Sequence, residues 1–174
     1  MRIVAFILLL TSSTLISQEI KRVDSERSYI NYSGKHFLHK WSAENKNISG
    51  LIQIQNESIS NIGIVAKVSD FKSGNSSLDS NSLRVLEALQ FPNVIFKSTT
   101  VIQENGQVIF EGVMNFHGIE KDFKIFAKVT QLDKITQLSG KFSVSLTEFL
   151  VKRPSLLTRK IDDEINLEFD LYFK

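Results

Sequence analysis

Apolar and polar residues alternate with a period of two along most of the chain. Phe123, Ile125, Ala127 and Val129 share one parity, while Asp122, Lys124, Lys128 and Thr130 take the other, with Phe126 the exception. Leu138, Gly140, Phe142, Val144 and Leu146 alternate with Ser139, Lys141, Ser143, Ser145 and Thr147. Ile165, Leu167, Phe169, Leu171 and Phe173 alternate in the same way with Asn166, Glu168, Asp170, Tyr172 and Lys174. A strand sends successive side chains to opposite faces, so each run predicts a strand with one buried and one wet face. Weaker runs predict further strands over 48–55, 60–68, 94–101, 107–116 and 29–35. Glu104-Asn105-Gly106 has the chemistry of a hairpin tip and His117-Gly118 that of a second bend.

About eight strands with short connections predict an all-β fold, an antiparallel sandwich or a closed barrel. Closure would remove exposed strand edges, and every apolar face would point into one interior. Two segments break the alternation. Residues 79–90 offer Asp79 or a serine as N-cap, then Leu83, Leu86 and Leu89 at helical spacing, with Pro92 beyond as a stop. This predicts one short helix whose leucine face covers an end of the barrel. Residues 150–164 carry Pro154, a basic cluster (Lys152, Arg153, Arg159, Lys160) and an acidic one (Asp162, Asp163, Glu164), which predicts a long rim loop or a short helix there.

The first residues add a compartment. Met1-Arg2 is a short positive start, Ile3 to Leu10 is uninterrupted apolar sequence, and Thr11 to Ser17 is more polar with small residues. That layout predicts a cleavable export signal over 1–17, cut after Ser17 or Gln18, ahead of one domain over 18–174. The apolar run falls short of the roughly 20 residues needed to span a bilayer, and no later stretch approaches that length, so no transmembrane segment is expected in the mature protein. Length allows one domain with a sizeable core: 174 residues, 42% apolar and 23% charged. Thirteen phenylalanines, beside 3 Tyr and 1 Trp, suit a dry interior. A formal charge of +2 argues against nucleic acid as a partner. The absence of cysteine excludes disulfides, thiolate metal sites, thiol catalysis and lipidation on an N-terminal cysteine.

The order of several motifs resembles the YceI-like family of lipocalin-like periplasmic proteins. Carrying the resemblance are Gly34-Lys-His-Phe-Leu-His-Lys-Trp41, Ile48-Ser-Gly50, and Val68-Ser-Asp-Phe-Lys-Ser-Gly-Asn75 leading to Asp79. Phe91-Pro-Asn-Val-Ile-Phe96 and Phe110-Glu-Gly-Val-Met-Asn-Phe-His-Gly-Ile-Glu-Lys121 continue it, so that it covers roughly residues 29 to 174, most loosely over 150–164. It implies an eight-stranded antiparallel lipocalin-like β-barrel with an elongated apolar cavity that takes a polyisoprenoid, an isoprenoid quinone, a fatty-acid derivative or a similar long-chain molecule. On that reading Phe110, Phe116, Phe123, Phe142, Phe169 and Leu171 are expected to line the cavity, with Leu83 and Leu86 closing one end. The competing reading is a structural or interaction barrel in which the phenylalanines fill the core and no ligand enters.

Catalytic and metal chemistry find little support. His36 and His39 have the H-x-x-H spacing, which on a strand sends the two rings to opposite faces, and no third ligand stands at a convincing spacing. His117 at its bend is expected to be satisfied by backbone groups. No Gly-x-Ser-x-Gly elbow occurs, and Asp162 to Glu164 share one wet environment, unlike an acid/base pair held at separate pKa values. No catalytic residue, metal or cofactor is expected, and the protein is read as a binding protein, not an enzyme. The basic cluster is open to two readings, a solvated loop or a seat for an anionic headgroup at the barrel mouth.

Overall fold

A computed structural model describes residues 18–174 apart from Leu38 and Leu157; the expected export signal over 1–17 lies outside the described residues. Twelve strands follow in order: β1 Gln18–Arg22, β2 Tyr29–Lys35, β3 Lys40–Asn45, β4 Ile48–Gln55, β5 Ser58–Lys67, β6 Asn93–Glu104, β7 Gln107–Phe116, β8 Ile119–Leu132, β9 Ile135–Ser145, β10 Ser155–Leu156, β11 Arg159–Lys160 and β12 Glu164–Phe173. Ten of them form one antiparallel sheet in the order β1-β4-β5-β6-β7-β8-β9-β12-β2-β3, and β10 and β11 pair as a separate small hairpin.

The sheet therefore has ten strands, not the eight expected. The two additions lie at its ends and lack the alternating apolar signal for a physical reason. In β1 only Lys21 is buried, its ammonium donating to the Lys134 carbonyl at 2.7 Å and to Thr136 Oγ1 at 3.3 Å. In β3 the buried positions are Ala43 and Asn45, a small residue and a polar one. Asn45 is satisfied by donating to the Lys67 carbonyl (3.1 Å) and accepting from Asn47 N (2.7 Å). Hydrophobic periodicity cannot report β1, whose one buried side chain is an ammonium, or β3, whose inward row is only Trp41, Ala43 and a polar Asn45.

The sheet curls into a half-barrel whose ends are stitched at two places. Val23 bridges Phe173, flanked by Arg22 N–H to Lys174 O (2.8 Å) and Lys174 N–H to Arg22 O (2.9 Å), tying β1 to β12. Glu44 bridges Lys72, tying β3 to the chain that leaves β5. The curl sharpens at a bulge in β6, where register shifts between Ser98 and Thr100. There the Ser98 hydroxyl accepts from Ile62 N (2.9 Å), a backbone donor the ladder no longer serves.

The helix differs from expectation at both ends. It runs Ser76–Val85 (α1), capped by Asn75, whose side-chain oxygen accepts from Ser77 N and Leu78 N. Asp79 lies inside it and accepts from Ser73 N (2.9 Å) and the Ser73 hydroxyl, pinning the incoming loop. At Glu87 the backbone turns left-handed (φ 46°) and Ala88 N–H closes on Leu83 O, ending the helix before Leu89, which is fully exposed. The leucine spacing of three runs across this break, so Leu83, Leu86 and Leu89 do not share one face.

Candidate binding site

The interior divides into a packed half and a hollow half. Toward the end where β1 meets β12, Ile52, Val108, Leu138 and Phe173 are completely buried in one apolar cluster and do not border the cavity described next. From the layer of Ile62, Phe110, Ile125 and Leu171 to the opposite end, the strands enclose a cavity of about 470 Å³ with mostly apolar walls. Helix α1 lies across its side, turning Leu78, Ser82 and Val85 inward, with Leu86 just beyond. Three lining residues are exposed, His39 beside β3, Arg84 on α1 and Ser155 on β10, and they mark the mouth.

Of the residues expected to line a cavity, Phe110, Phe116, Phe142, Phe169, Leu171 and Leu86 lie on its wall. Phe123 and Leu83 do not. Phe123 stands behind the wall, its ring meeting Phe142 edge-on at 5.7 Å, and Phe142 in turn contacts Phe169 at 6.2 Å. Leu83 is half-buried on the flank of α1, displaced by the same helix phase that brings in Leu78, Ser82 and Val85. Gly140, opposite Phe169 in the ladder, is where the Phe169 ring lies flat: a Cβ there would come within 2.7 Å of Phe169 Cζ. Gly34 does the same for Trp41, another wall residue, whose ring would stand 2.3 Å from a Cβ.

Sequence reasoning missed Tyr32, His36, Trp41 and Ser82 on the wall: Trp41 because β3 went unseen, and the other three because a polar side chain facing a cavity leaves no mark in hydrophobic periodicity. Burial holds the Tyr32 phenol above its usual range, with a partial offset from Ser82, whose hydroxyl lies 3.4 Å away. His36 and His39 also stand otherwise than expected. They flank a two-residue turn, with His36 N–H to His39 O (2.9 Å) and His39 N–H to His36 O (3.2 Å). Facing positions across a hairpin share a side, so the rings are brought together, centroids 5.8 Å apart, not sent to opposite faces. His36 is buried and its Nε2–H donates to the Arg159 carbonyl at 3.2 Å. Among the described residues, no group of three or more His, Cys, Asp or Glu is arranged to hold a metal.

His117 is a clamp. Its Nδ1–H donates to Phe149 O (3.0 Å), and Nε2 meets the Glu87 carboxylate (2.9 Å). The partner from beyond the backbone, Glu87, lies 30 residues away and gave no sequence signal. With both nitrogens occupied, the ring joins the end of α1 to the loop after β9 and offers no free base. The acidic cluster is not wholly a wet surface. Asp163 is held below the usual carboxylate range by the hydroxyls of Ser145 and Thr147, the Thr147 N–H and the Arg153 guanidinium, fixing the loop after β9 to the start of β12.

Comparison with known proteins agrees with this architecture. No curated protein matches the chain. Among solved structures, BcnA of Burkholderia cenocepacia superposes with a TM-score of 0.78 at 16% identity, covering 86% of this chain and 98% of that one. A polyisoprenoid binding domain from Saccharophagus degradans, implicated in plant cell wall breakdown, gives 0.70 at 11% identity, covering 92% and 99%. The YceI protein of Campylobacter jejuni gives 0.65 at 14% identity, covering 98% and 91%. At such identities these likenesses speak to the fold. A profile of the YceI-like domain matches residues 22–173, nearly the whole described chain, and the protein belongs to the YceI-like domain family.

Proposed function

We propose that the protein is a carrier or sequestering protein for a long-chain apolar lipid, such as a polyisoprenoid, an isoprenoid quinone or a fatty-acid derivative. It would act in the periplasm or outside the cell after loss of residues 1–17, without a cofactor and without catalysis. The observation that carries this reading is the hollow upper half of the barrel: about 470 Å³ of apolar space in a fold whose other half is packed solid. That volume lies within the range of small-molecule sites, about 300–1,000 Å³. Each methylene taken from water would contribute about 0.8 kcal/mol, so affinity needs few polar contacts. The Saccharophagus degradans neighbour, described as a polyisoprenoid binding domain, supports the ligand class. The competing barrel with a filled core describes the lower half, where Val108, Leu138 and Phe173 meet, and does not extend to the upper.

The test is uptake of a fluorescent long-chain probe by delipidated protein. Wild type is expected to bind it, and Phe142→Glu is expected to stay folded and lose it, because a charge on the cavity wall can keep water that the probe would displace. Lys141→Gln and Glu168→Gln, on the outer face where the two side chains pair at 3.2 Å, should change neither folding nor uptake. Folded, delipidated wild type that takes up no apolar probe would defeat the carrier reading.

A further inference from the structure

A cavity for a water-insoluble chain raises the question of where the chain enters, and the rim of the mouth has its own chemistry. Two hairpins stand side by side there: the β2–β3 turn over 35–40 and the β10–β11 hairpin with its lead-in over 152–160. Between them they carry six Lys or Arg, namely Lys35, Lys40, Lys152, Arg153, Arg159 and Lys160, and no Asp or Glu. Arg153 is committed to Asp163 at 3.3 Å. Among the described residues, none of the other five makes an ion pair with a carboxylate, and all five are exposed. The acidic run begins only at Asp162, where the chain turns down into β12.

At the tip of the first hairpin Phe37 is 48% exposed, an apolar ring in water, with Lys35 and Lys40 in the same hairpin. The Arg159 guanidinium lies over it at 4.8 Å, which joins the two hairpins into one amphipathic unit. His36 and His39, on either side of Phe37, both line the cavity, so this unit forms the lip of the mouth. An aromatic side chain set among lysines and arginines suits the boundary between headgroups and acyl chains, where the ring enters the apolar layer and the cations meet anionic lipid.

We infer that the mouth docks on an anionic bilayer surface through Phe37 and the cations of the two hairpins, so that a lipid chain passes between membrane and cavity without crossing water. The occupant is set by charge complementarity: five exposed unpaired cations with a single aromatic insert fit anionic headgroups over acyl chains. The proposal rests on the carrier reading for its purpose but not for its observation, since the rim chemistry stands whether or not the cavity is loaded.

Two readouts on the full mature protein separate the two ideas. The first is co-sedimentation with phosphatidylcholine vesicles, with and without phosphatidylglycerol, at low and high salt. The second is uptake of a fluorescent fatty acid delivered from cyclodextrin, with no membrane present. Wild type is expected to sediment with phosphatidylglycerol vesicles, less so in high salt, and not with phosphatidylcholine alone. The double variant Lys152→Gln/Lys160→Gln should weaken vesicle binding by roughly fivefold per charge removed. Phe37→Ser should weaken it as well, and both variants should melt like wild type and take up the cyclodextrin-delivered probe unchanged. Failure to sediment with phosphatidylglycerol vesicles at low salt, or sedimentation indifferent to both variants, overturns the docking proposal. Sedimentation without probe uptake leaves docking in place and removes the carrier reading.

Discussion

Leu138 and Phe142 share a parity on β9, four residues apart, yet their surroundings differ. Leu138 is completely buried in the packed half, while Phe142 fronts the cavity with space beside its ring. Truncation should reveal the difference. Leu138→Ala opens a void where none existed and is expected to cost about 2–5 kcal/mol in urea unfolding. Phe142→Ala enlarges a space already present, with fewer packing contacts to lose, and should cost about 2 kcal/mol or less, below the usual Phe truncation. Equal losses would mean that Phe142 is packed as tightly as Leu138. The alternation read from sequence gave both residues the same inward face and could not separate them, because a hollow and a filled interior demand the same apolar pattern.

At the scale of elements, two side chains hold the upper end in place. His117 bonds the Phe149 carbonyl and the Glu87 carboxylate, joining the end of α1 to the loop after β9. His117→Ala leaves the buried carbonyl without its donor and should cost about 1–3 kcal/mol. Amide exchange should rise selectively over 83–91 and 146–151, while the strands of the packed half stay protected. Asp163 sets the acid limit of the same end. Its folded-state pKa lies below that of the unfolded chain, so its contribution is fully present above the usual aspartate range, about 4, and is lost as pH falls through the folded-state value. Melting temperature measured against pH should therefore drop less steeply on the acid side in Asp163→Asn, from a lower starting stability at neutral pH. The bounds of β2, β4 and β7 were legible from alternation alone. What sequence could not supply were the bounds of α1, whose cap is Asn75 and whose leucine series outruns the helix, and the edge strands: β1 buries only Lys21, and β3 has just Trp41 and Ala43 beside a polar Asn45. On the cavity wall, Phe110, Phe116, Phe142 and Phe169 were readable and Phe96 was not, while His36, Trp41 and Ser82 depend on how distant segments meet.

For the molecule as a whole, the ends of the sheet matter most. The bridge of Val23 to Phe173 joins the first described strand to the last, and β1 pairs along its length with β4 from Gln18 opposite Gln55 to Arg22 opposite Leu51. Cleavage after Ser17 would leave this strand complete, and cleavage after Gln18 would remove one pair from its end. N-terminal sequencing of exported protein is expected to read Gln18 or Glu19, and a full-length product retained in the cytoplasm would contradict the proposed localisation.

The packed half also acts as a stop. In the proposed carrier, a chain entering at the mouth would advance to the layer of Phe110 and Leu171, beyond which Val108, Leu138 and Phe173 are completely buried. Depth then becomes a ruler. In a series of unbranched alcohols, each added methylene should strengthen binding by about 0.8 kcal/mol until the tail reaches that layer, after which further length projects from the mouth and adds little. Entry and exit share one opening, so a deeply seated chain must retrace its path to leave, and the same break should appear in dissociation rates. Phe110→Ala, at the stop itself, should shift it toward longer chains, whereas Lys141→Gln on the outer face should not.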